Sequence, residues 1–339
     1  MQNNIIAHDA AAICERVKFD ALRDNTILVT GASGLLGTYF LATLAHLKQS
    51  GIPLKTIAQF HSQPAPHTAE IIHRAGFQCA QVNLADPAEC SSLPPADIII
   101  HSAGYAQPAI FMANPVATFQ VNTTATASLL QRLKPGGAFL YLSSSEVYSG
   151  LKKSPLSEAD IGTTTPLHPR ACYIEGKRGG ETICNAYRTQ GVRAVSARLA
   201  LAYGPGTRKG DKRALNSFIE KALCQGKIEL MDAGKAIRTY CYVSDAVELM
   251  WQAALHGTQP VYNIGGHSTV TIGELARLVG QIVGVPVSFP AQSAEVAGAP
   301  EEVRLDLTRP ETEFNKTTYV GLEQGLRATI EWQQQLYRA

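Results

Sequence analysis

The chain carries almost no net charge. Its 30 Lys and Arg residues stand against 28 Asp and Glu, a formal +2, so there is no electrostatic case for a nucleic-acid or membrane partner. Long apolar runs are also missing, and the longest fall well short of the about 20 residues a membrane helix needs. Met1-Gln2-Asn3-Asn4 has no basic stretch leading into an apolar one. No signal peptide is expected, and the cytoplasm is the expected location. The seven cysteines are scattered, with no C-x-x-C, which reads as reduced thiols. No His, Cys and carboxylate cluster has metal-ligand spacing, so no metal site is expected. What is present is 339 residues that are 45% apolar and 17% charged. That composition builds a sizeable core and excludes a disordered or fibrous chain. The length suggests two domains or one large α/β unit.

Residues 1–25 carry a rough helical period through Ile13, Val17, Phe19 and Leu22 and predict a helical arm packed on this chain or on a second copy. Strands and helices then alternate. Short apolar runs predict strands at Ile27–Thr30, Lys55–Phe60, Asp97–His101, Phe139–Ser143 and Ala194–Leu199, with a helix over Leu35–Leu47. This alternation predicts an α/β fold, a doubly wound parallel sheet of Rossmann type. After about residue 200 the texture changes. Tyr203-Gly204-Pro205-Gly206 is a turn and Thr207–Arg213 a basic loop. Ser244-Asp245 is expected to cap a helix through Leu249 and Trp251. Val261–Ile264 reads as a strand, Thr271–Val283 as a capped helix, and Pro286–Asp306 as loop. The expected division is an arm at 1–25, a dinucleotide-binding domain at 26–199, and a smaller α/β substrate domain over most of 200–339. Segments around 240–265 would return to the first domain.

Gly31-Ala32-Ser33-Gly34-Leu35-Leu36-Gly37 follows the first strand and opens a helix. The first glycine lets the chain turn, the second lets backbone approach a pyrophosphate, and the third lets helix and sheet pack closely. A bare tight turn is the alternative. The second strand ends Gln59-Phe60-His61, with no acid to favour NAD and no Arg to favour NADP; Gln59 could bond a ribose hydroxyl. Tyr173 and Lys177 lie one helical turn apart. A neighbouring ammonium is expected to lower the tyrosine pKa and make it a base. Gly176, Gly179 and Gly180 crowd the same helix, at about 1 kcal/mol each relative to Ala, so cofactor or another helix must pack close there. Ser143-Ser144-Ser145-Glu146-Val147-Tyr148 leaves the carboxyl end of a strong strand, where ligands bind in such sheets, or it is an ordinary capping turn.

Together with His101-Ser102-Ala103-Gly104, Asn122-Thr123, Tyr203-Gly204-Pro205 and Arg238-x-x-x-Tyr242-Val243-x-Asp245, these motifs resemble the extended short-chain dehydrogenase/reductases that modify nucleotide sugars. Within that NAD-dependent epimerase/dehydratase family they are most similar to UDP-glucuronate decarboxylases. The resemblance implies a recycled NAD held by Gly31, Ser33, Gly34, Leu35, Gly37, Gln59, Ser102, Ala103, Asn122, Tyr173 and Lys177. It also implies catalysis through a 4-keto sugar by Tyr173, Lys177, Ser144 and Glu146. Ser145, Tyr105, Arg238, Arg208 and Arg304 would meet substrate. Dehydratases of the family usually carry Asp where this chain has Ser145. Decarboxylation is therefore the leading expectation, with 4-epimerisation and 4,6-dehydration as alternatives. A reading of another class is a non-catalytic dinucleotide sensor or RNA binder. Helices near 115–133 and 172–190 resemble the pair through which relatives form homodimers. Leu201 stands where the family commonly has a substrate-contacting Asn.

Overall fold

The computed structural model describes residues 2–290 and 302–338. Helix α1 (Gln2–Arg16) is followed by β1 (Thr26–Thr30), α2 (Leu35–Gln49), β2 (Lys55–Phe60), α3 (Pro66–Ala75), β3 (Gln78–Gln81), α4 (Pro87–Ser91) and β4 (Ala96–His101). Then come α5 (Pro108–Ala113), α6 (Pro115–Asn122), α7 (Thr124–Leu130), β5 (Leu133–Ser144), α8 (Ala171–Thr189) and β6 (Arg193–Leu199). The remainder holds β7 (Leu201–Tyr203), α9 (Ala214–Gln225), β8 (Ile228–Glu229), β9 (Ile237–Tyr242), α10 (Val243–His256) and β10 (Val261–Ile264). It closes with β11 (Ser268–Thr271), α11 (Ile272–Val283), β12 (Val287–Ser288), β13 (Glu302–Val303), α12 (Thr308–Phe314) and α13 (Leu322–Arg338).

Seven parallel strands form the main sheet in the order β10-β6-β5-β4-β1-β2-β3. The apolar runs explain the interior positions: Ile27, Leu28, Val29, Ile99 and Ile100 are all fully buried, as strands covered on both faces must be. The order runs outward one way from β1 through β2 to β3, and the other way through β4 to β5. The carboxyl ends of β1 and β4 therefore border the crevice where such sheets bind ligands. A second sheet, β11-β9-β13 with β7 also on β9, stands beside it. The short β3 and β13 escape a periodicity reading because four and two residues are too few to show a period.

The arm packs on its own chain. Ile6, Ala10 and Ile13 are fully buried, and Asp9 Oδ2 accepts hydrogen bonds from Tyr39 of α2 at 2.8 Å and Tyr242 of β9 at 2.9 Å.

Three expectations need correction. The helix expected near 115–133 breaks at Thr123. Asn122 Nδ2 and Thr123 Oγ1 donate back to the carbonyls of Thr118 and Phe119, and such back-bonding bends helices. Ser244 and Asp245 do not cap α10, whose N-cap is Tyr242 with no side-chain cap. Asp245 instead accepts from buried Lys316 and from the Val320 amide, both at 2.8 Å. The stretch expected as loop at 286–306 contains β12 and β13; residues 291–301 lie outside the described residues. By contrast Thr271 does cap α11, in a reciprocal capping box with Glu274.

Candidate active site

The glycine turn between β1 and α2 forms the floor of a cleft of ≈ 310 Å³. Gly31 has φ +62°, and a Cβ there would lie 2.6 Å from the Ala103 backbone. A Cβ on Gly37 would lie 2.4 Å from the Gly31 carbonyl. These two glycines are required by the protein's own packing. Gly34 is different: its φ is −80°, and a Cβ would meet only the Gly31 carbonyl, at 3.3 Å. It caps α2 without a side chain, so the first-turn amides face the cleft, an arrangement that suits a phosphate. The cleft is lined by Gly31, Ser33, Gly34 and Leu35 at one wall and by Ser102, Ala103 and Tyr105 at the other. Glycine turn, open helix terminus and long cleft fit a dinucleotide.

Two expected cofactor ligands are otherwise engaged. Gln59 is buried; its Oε1 accepts from the Gly31 amide at 3.0 Å and its Nε2 donates to the Val82 carbonyl at 2.7 Å. Its amide braces the glycine turn, and Gln59 lines that end of the cleft together with His61, Ser62 and Asn83. Asn122 donates to Thr118 O and accepts from Tyr141 at 3.1 Å, so it too holds the scaffold. His101 belongs to the same frame. A carbonyl can only accept, so Nε2–H donates to Val121 O at 3.0 Å and Nδ1 accepts from Thr30 Oγ1 at 2.8 Å. Burial pushes this imidazole down to about 3, so it stays neutral.

Tyr173 and Lys177 sit on α8 with Ser144 and Glu146 arriving from the end of β5. Tyr173 shares a side-chain hydrogen bond with Ser144. Its ring stacks on Phe111 of α5, centroids 4.7 Å apart at 12°. Lys177 Nζ donates to Leu142 O at 2.6 Å and stands 5.6 Å from the Tyr173 ring centroid. A Cβ on Gly104 would be 3.7 Å from that ammonium, so Lys177 reaches the cleft wall. Ser145 opens the short 3-10 turn that carries Glu146. Glu146 Oε1 accepts from Arg170 Nη2 at 2.6 Å, and Oε2 from Ser149 Oγ at 3.0 Å.

The expected electrostatics are reversed. The Tyr173 pKa is raised, with desolvation the largest cause; the Ser144 hydrogen bond opposes it, Glu146 adds to it, and Arg170 and Arg213 oppose it. Lys177 is itself pushed down to about 7 by burial. Desolvation of both groups outweighs the attraction the spacing suggested.

The glycines of α8 have a plain cause. Cβ atoms on Gly176, Gly179 and Gly180 would lie 3.3 Å from Asn122 Cβ, 2.8 Å from Thr123 Cγ2 and 2.3 Å from the Tyr141 ring. Another helix junction and a strand side chain pack there.

A second cleft of ≈ 440 Å³ adjoins the first, sharing Gln107 and Arg213 with it. Arg238, Tyr240, Leu201, Lys212 and Asn216 line it. Arg208 is elsewhere. Its Nη2 donates to Ser33 O at 2.8 Å over the glycine turn, in the first cleft. Arg304 pairs with Glu302 at 3.6 Å. The residues that sequence reasoning passed over are Arg170 and Phe111. Arg170 had one local signal, its position three residues before Tyr173.

The profile of the NAD dependent epimerase/dehydratase family matches residues 27–265. The chain belongs to that family. Among curated relatives, UDP-glucuronic acid decarboxylase 1 of Xenopus tropicalis is 31% identical over 321 residues, covering 93% of this chain and 74% of the relative. Among solved structures, the UDP-glucose 4-epimerase of Thermotoga maritima with UDP-glucose has a TM-score of 0.77 at 24% identity, over 92% of this chain and 99% of that one. The dTDP-glucose 4,6-dehydratase of Streptomyces venezuelae, solved with NAD, has a TM-score of 0.77 at 22% identity, over 91% and 97%. At these identities the structures show a shared fold.

Proposed function

We propose that this family member acts on a nucleotide-diphosphate sugar through a 4-keto intermediate, decarboxylating a UDP-glucuronate-like substrate. Residues 26–199 hold the cofactor in this reading, and most of 200–339 holds the sugar nucleotide. Gly31, Ser33, Gly34, Leu35, Ser102 and Ala103 would hold NAD, which when bound accepts a hydride and later returns it. Tyr173 takes the proton of the sugar C4 hydroxyl, and Ser144 shares that oxygen. With C4 a ketone, the carboxylate on C5 leaves as carbon dioxide and its bonding electrons become the C4–C5 enolate. Tyr173 and Ser144, now both donors, hold the enolate oxygen. C5 then takes a proton from solvent water, which restores the C4 ketone, and once C4 has regained its hydride Tyr173 returns its own proton to the C4 oxygen.

The observation that carries the decarboxylase reading is Ser145, which opens the 3-10 turn just before Glu146, where dehydratases of the family carry an acid. A serine hydroxyl is a poor acid near neutral pH. Glu146, held by Arg170 and Ser149, would serve an elimination as the base at C5 and does not replace that acid. Elimination of water thus lacks its expected acid. Relatives at 31% and 30% identity named UDP-glucuronic acid decarboxylase support the same reading. The seven free cysteines suit a reducing compartment such as the cytoplasm. The exposed apolar residues of α6 support a homodimer.

The test is incubation with UDP-glucuronate, UDP-glucose and dTDP-glucose, followed by mass detection. Loss of carbon dioxide from UDP-glucuronate is expected; loss of water, or a stereochemical change without loss of mass, selects the dehydratase or epimerase reading. Tyr173→Phe should slow reduction of bound NAD by about 10² or more, the size of a lost general base, while NAD binding persists. Full activity in Tyr173→Phe would end the mechanism.

A further inference from the structure

Arg170 is the N-cap residue of α8, one turn before Tyr173. Its guanidinium and the Glu146 carboxylate are each about three-quarters buried, at 25% side-chain exposure. The Cζ lies 5.6 Å from the centroid of Phe111, the ring that stacks on Tyr173. Its Nε is buried with no partner of its own. Keeping a guanidinium this desolvated is costly unless its charge is answered, and the answer here is Glu146 at 2.6 Å. The pair lies against the ring system that ends in the Tyr173 hydroxyl.

Resting on the reading of Tyr173 as proton acceptor, we propose that Arg170 is its positioning residue: it fixes the Glu146 carboxylate and offsets that charge where Tyr173 must become a phenolate. Without Arg170, Glu146 would face the phenolate as a like charge that has lost its hydrogen-bonded cation, leaving Arg238 as its cationic neighbour, and could swing toward Ser149 alone. The two residues act on Tyr173 with opposite sign, Glu146 raising its pKa and Arg170 lowering it. The other groups that face Tyr173 are Ser144 from β5, Arg213 from the 207–213 loop, Lys177 on its own helix and Tyr141 from β5. Helix α5 contributes only the uncharged Phe111. None of these pairs with Glu146 in place of Arg170.

The experiment follows the Tyr173 phenol directly, by NMR of ring-labelled tyrosine across pH, with Tyr173→Phe identifying the signal. Arg170→Gln should move the Tyr173 titration to higher pH. Arg170→Lys should restore it in part. The double variant Arg170→Gln with Glu146→Gln should bring it back towards the parent, since both opposing charges are gone. An unchanged titration in Arg170→Gln, or a double variant displaced further than the single one, overturns the proposal. A purely structural Arg170 would also fail to give the return in the double variant. In parallel, single-turnover reduction with UDP-glucuronate at pH 7 should fall about tenfold in Arg170→Gln. If the parent protein gives no reduction with UDP-glucuronate, the substrate reading fails, while the NMR titration still decides the role of Arg170.

Discussion

At the scale of single residues, space and solvation decide what each motif position does. Gly34 is the glycine of the turn whose substitution disturbs the protein's own packing least, a Cβ there meeting only the Gly31 carbonyl at 3.3 Å. Gly34→Val should fold, with a thermal transition close to the parent, yet lose NAD binding by titration calorimetry, because a branched side chain fills the phosphate's place. Normal affinity in the folded variant would remove the phosphate-cradle reading. Lys177 shows the opposite tension. Its pKa falls from 10.5 to about 7 on folding, so between those values the unfolded chain binds the extra proton and stability rises with pH. Below about 7 the ammonium is charged in both states and its burial opposes folding in full. Lys177→Met should therefore raise the unfolding midpoint in urea at pH 6, and this gain should shrink by pH 9. Loss of the donor to Leu142 O offsets part of it, at about 1–3 kcal/mol for an orphaned carbonyl. A midpoint shift independent of pH would contradict the buried ammonium.

At the scale of elements, α8 explains itself once its neighbours are in place. A helix with three glycines in five positions is intrinsically poor. It persists because close approach lets Asn122, Thr123 and Tyr141 pack on its backbone. Gly180→Ala is expected to destabilise by about 1–3 kcal/mol through overpacking, despite the better helix propensity of alanine. Chemical denaturation measures this, and a stabilised variant would show that the contact relaxes freely. The same contact places Tyr173 and Lys177, so the loss should extend to hydride transfer.

For the whole molecule, the informative surface is apolar. Val116 and Phe119 of α6 are 69% and 42% exposed, and Leu167, just before α8, is 93% exposed. With Pro115, Pro166, Ala171 and Cys172 they border one shallow groove or lie beside it. Apolar patches of this kind mark protein interfaces, and the symmetric solution is a second copy of the same face. Light scattering at micromolar concentration should give a dimer, and Val116→Asp with Phe119→Asp a folded monomer. A monomeric parent would refute the pairing.

The sequence by itself determined the parts whose physics is local. The strands β1, β2 and β4 were legible because an apolar run between turn residues can be satisfied only by burial. The glycine turn was legible because strand, glycines and helix follow each other within a few residues. Tyr173 and Lys177 were legible as one face because four residues make about one helical turn. Tertiary structure decided what depends on distant neighbours. Gln59 and Asn122 sit at expected positions, but Gly31 and Val82 engage the Gln59 amide, and Tyr141, from a distant strand, engages the Asn122 oxygen while its nitrogen bonds back to Thr118. Arg208 lies 175 residues from Ser33 in the chain, and no spacing rule reports that contact. The direction of the Tyr173 shift needed its burial, and the partner of Glu146 needed the fold that brings Arg170 across 24 residues. Desolvation is a property of everything packed around a group, so it cannot be read from the residues beside that group in the chain.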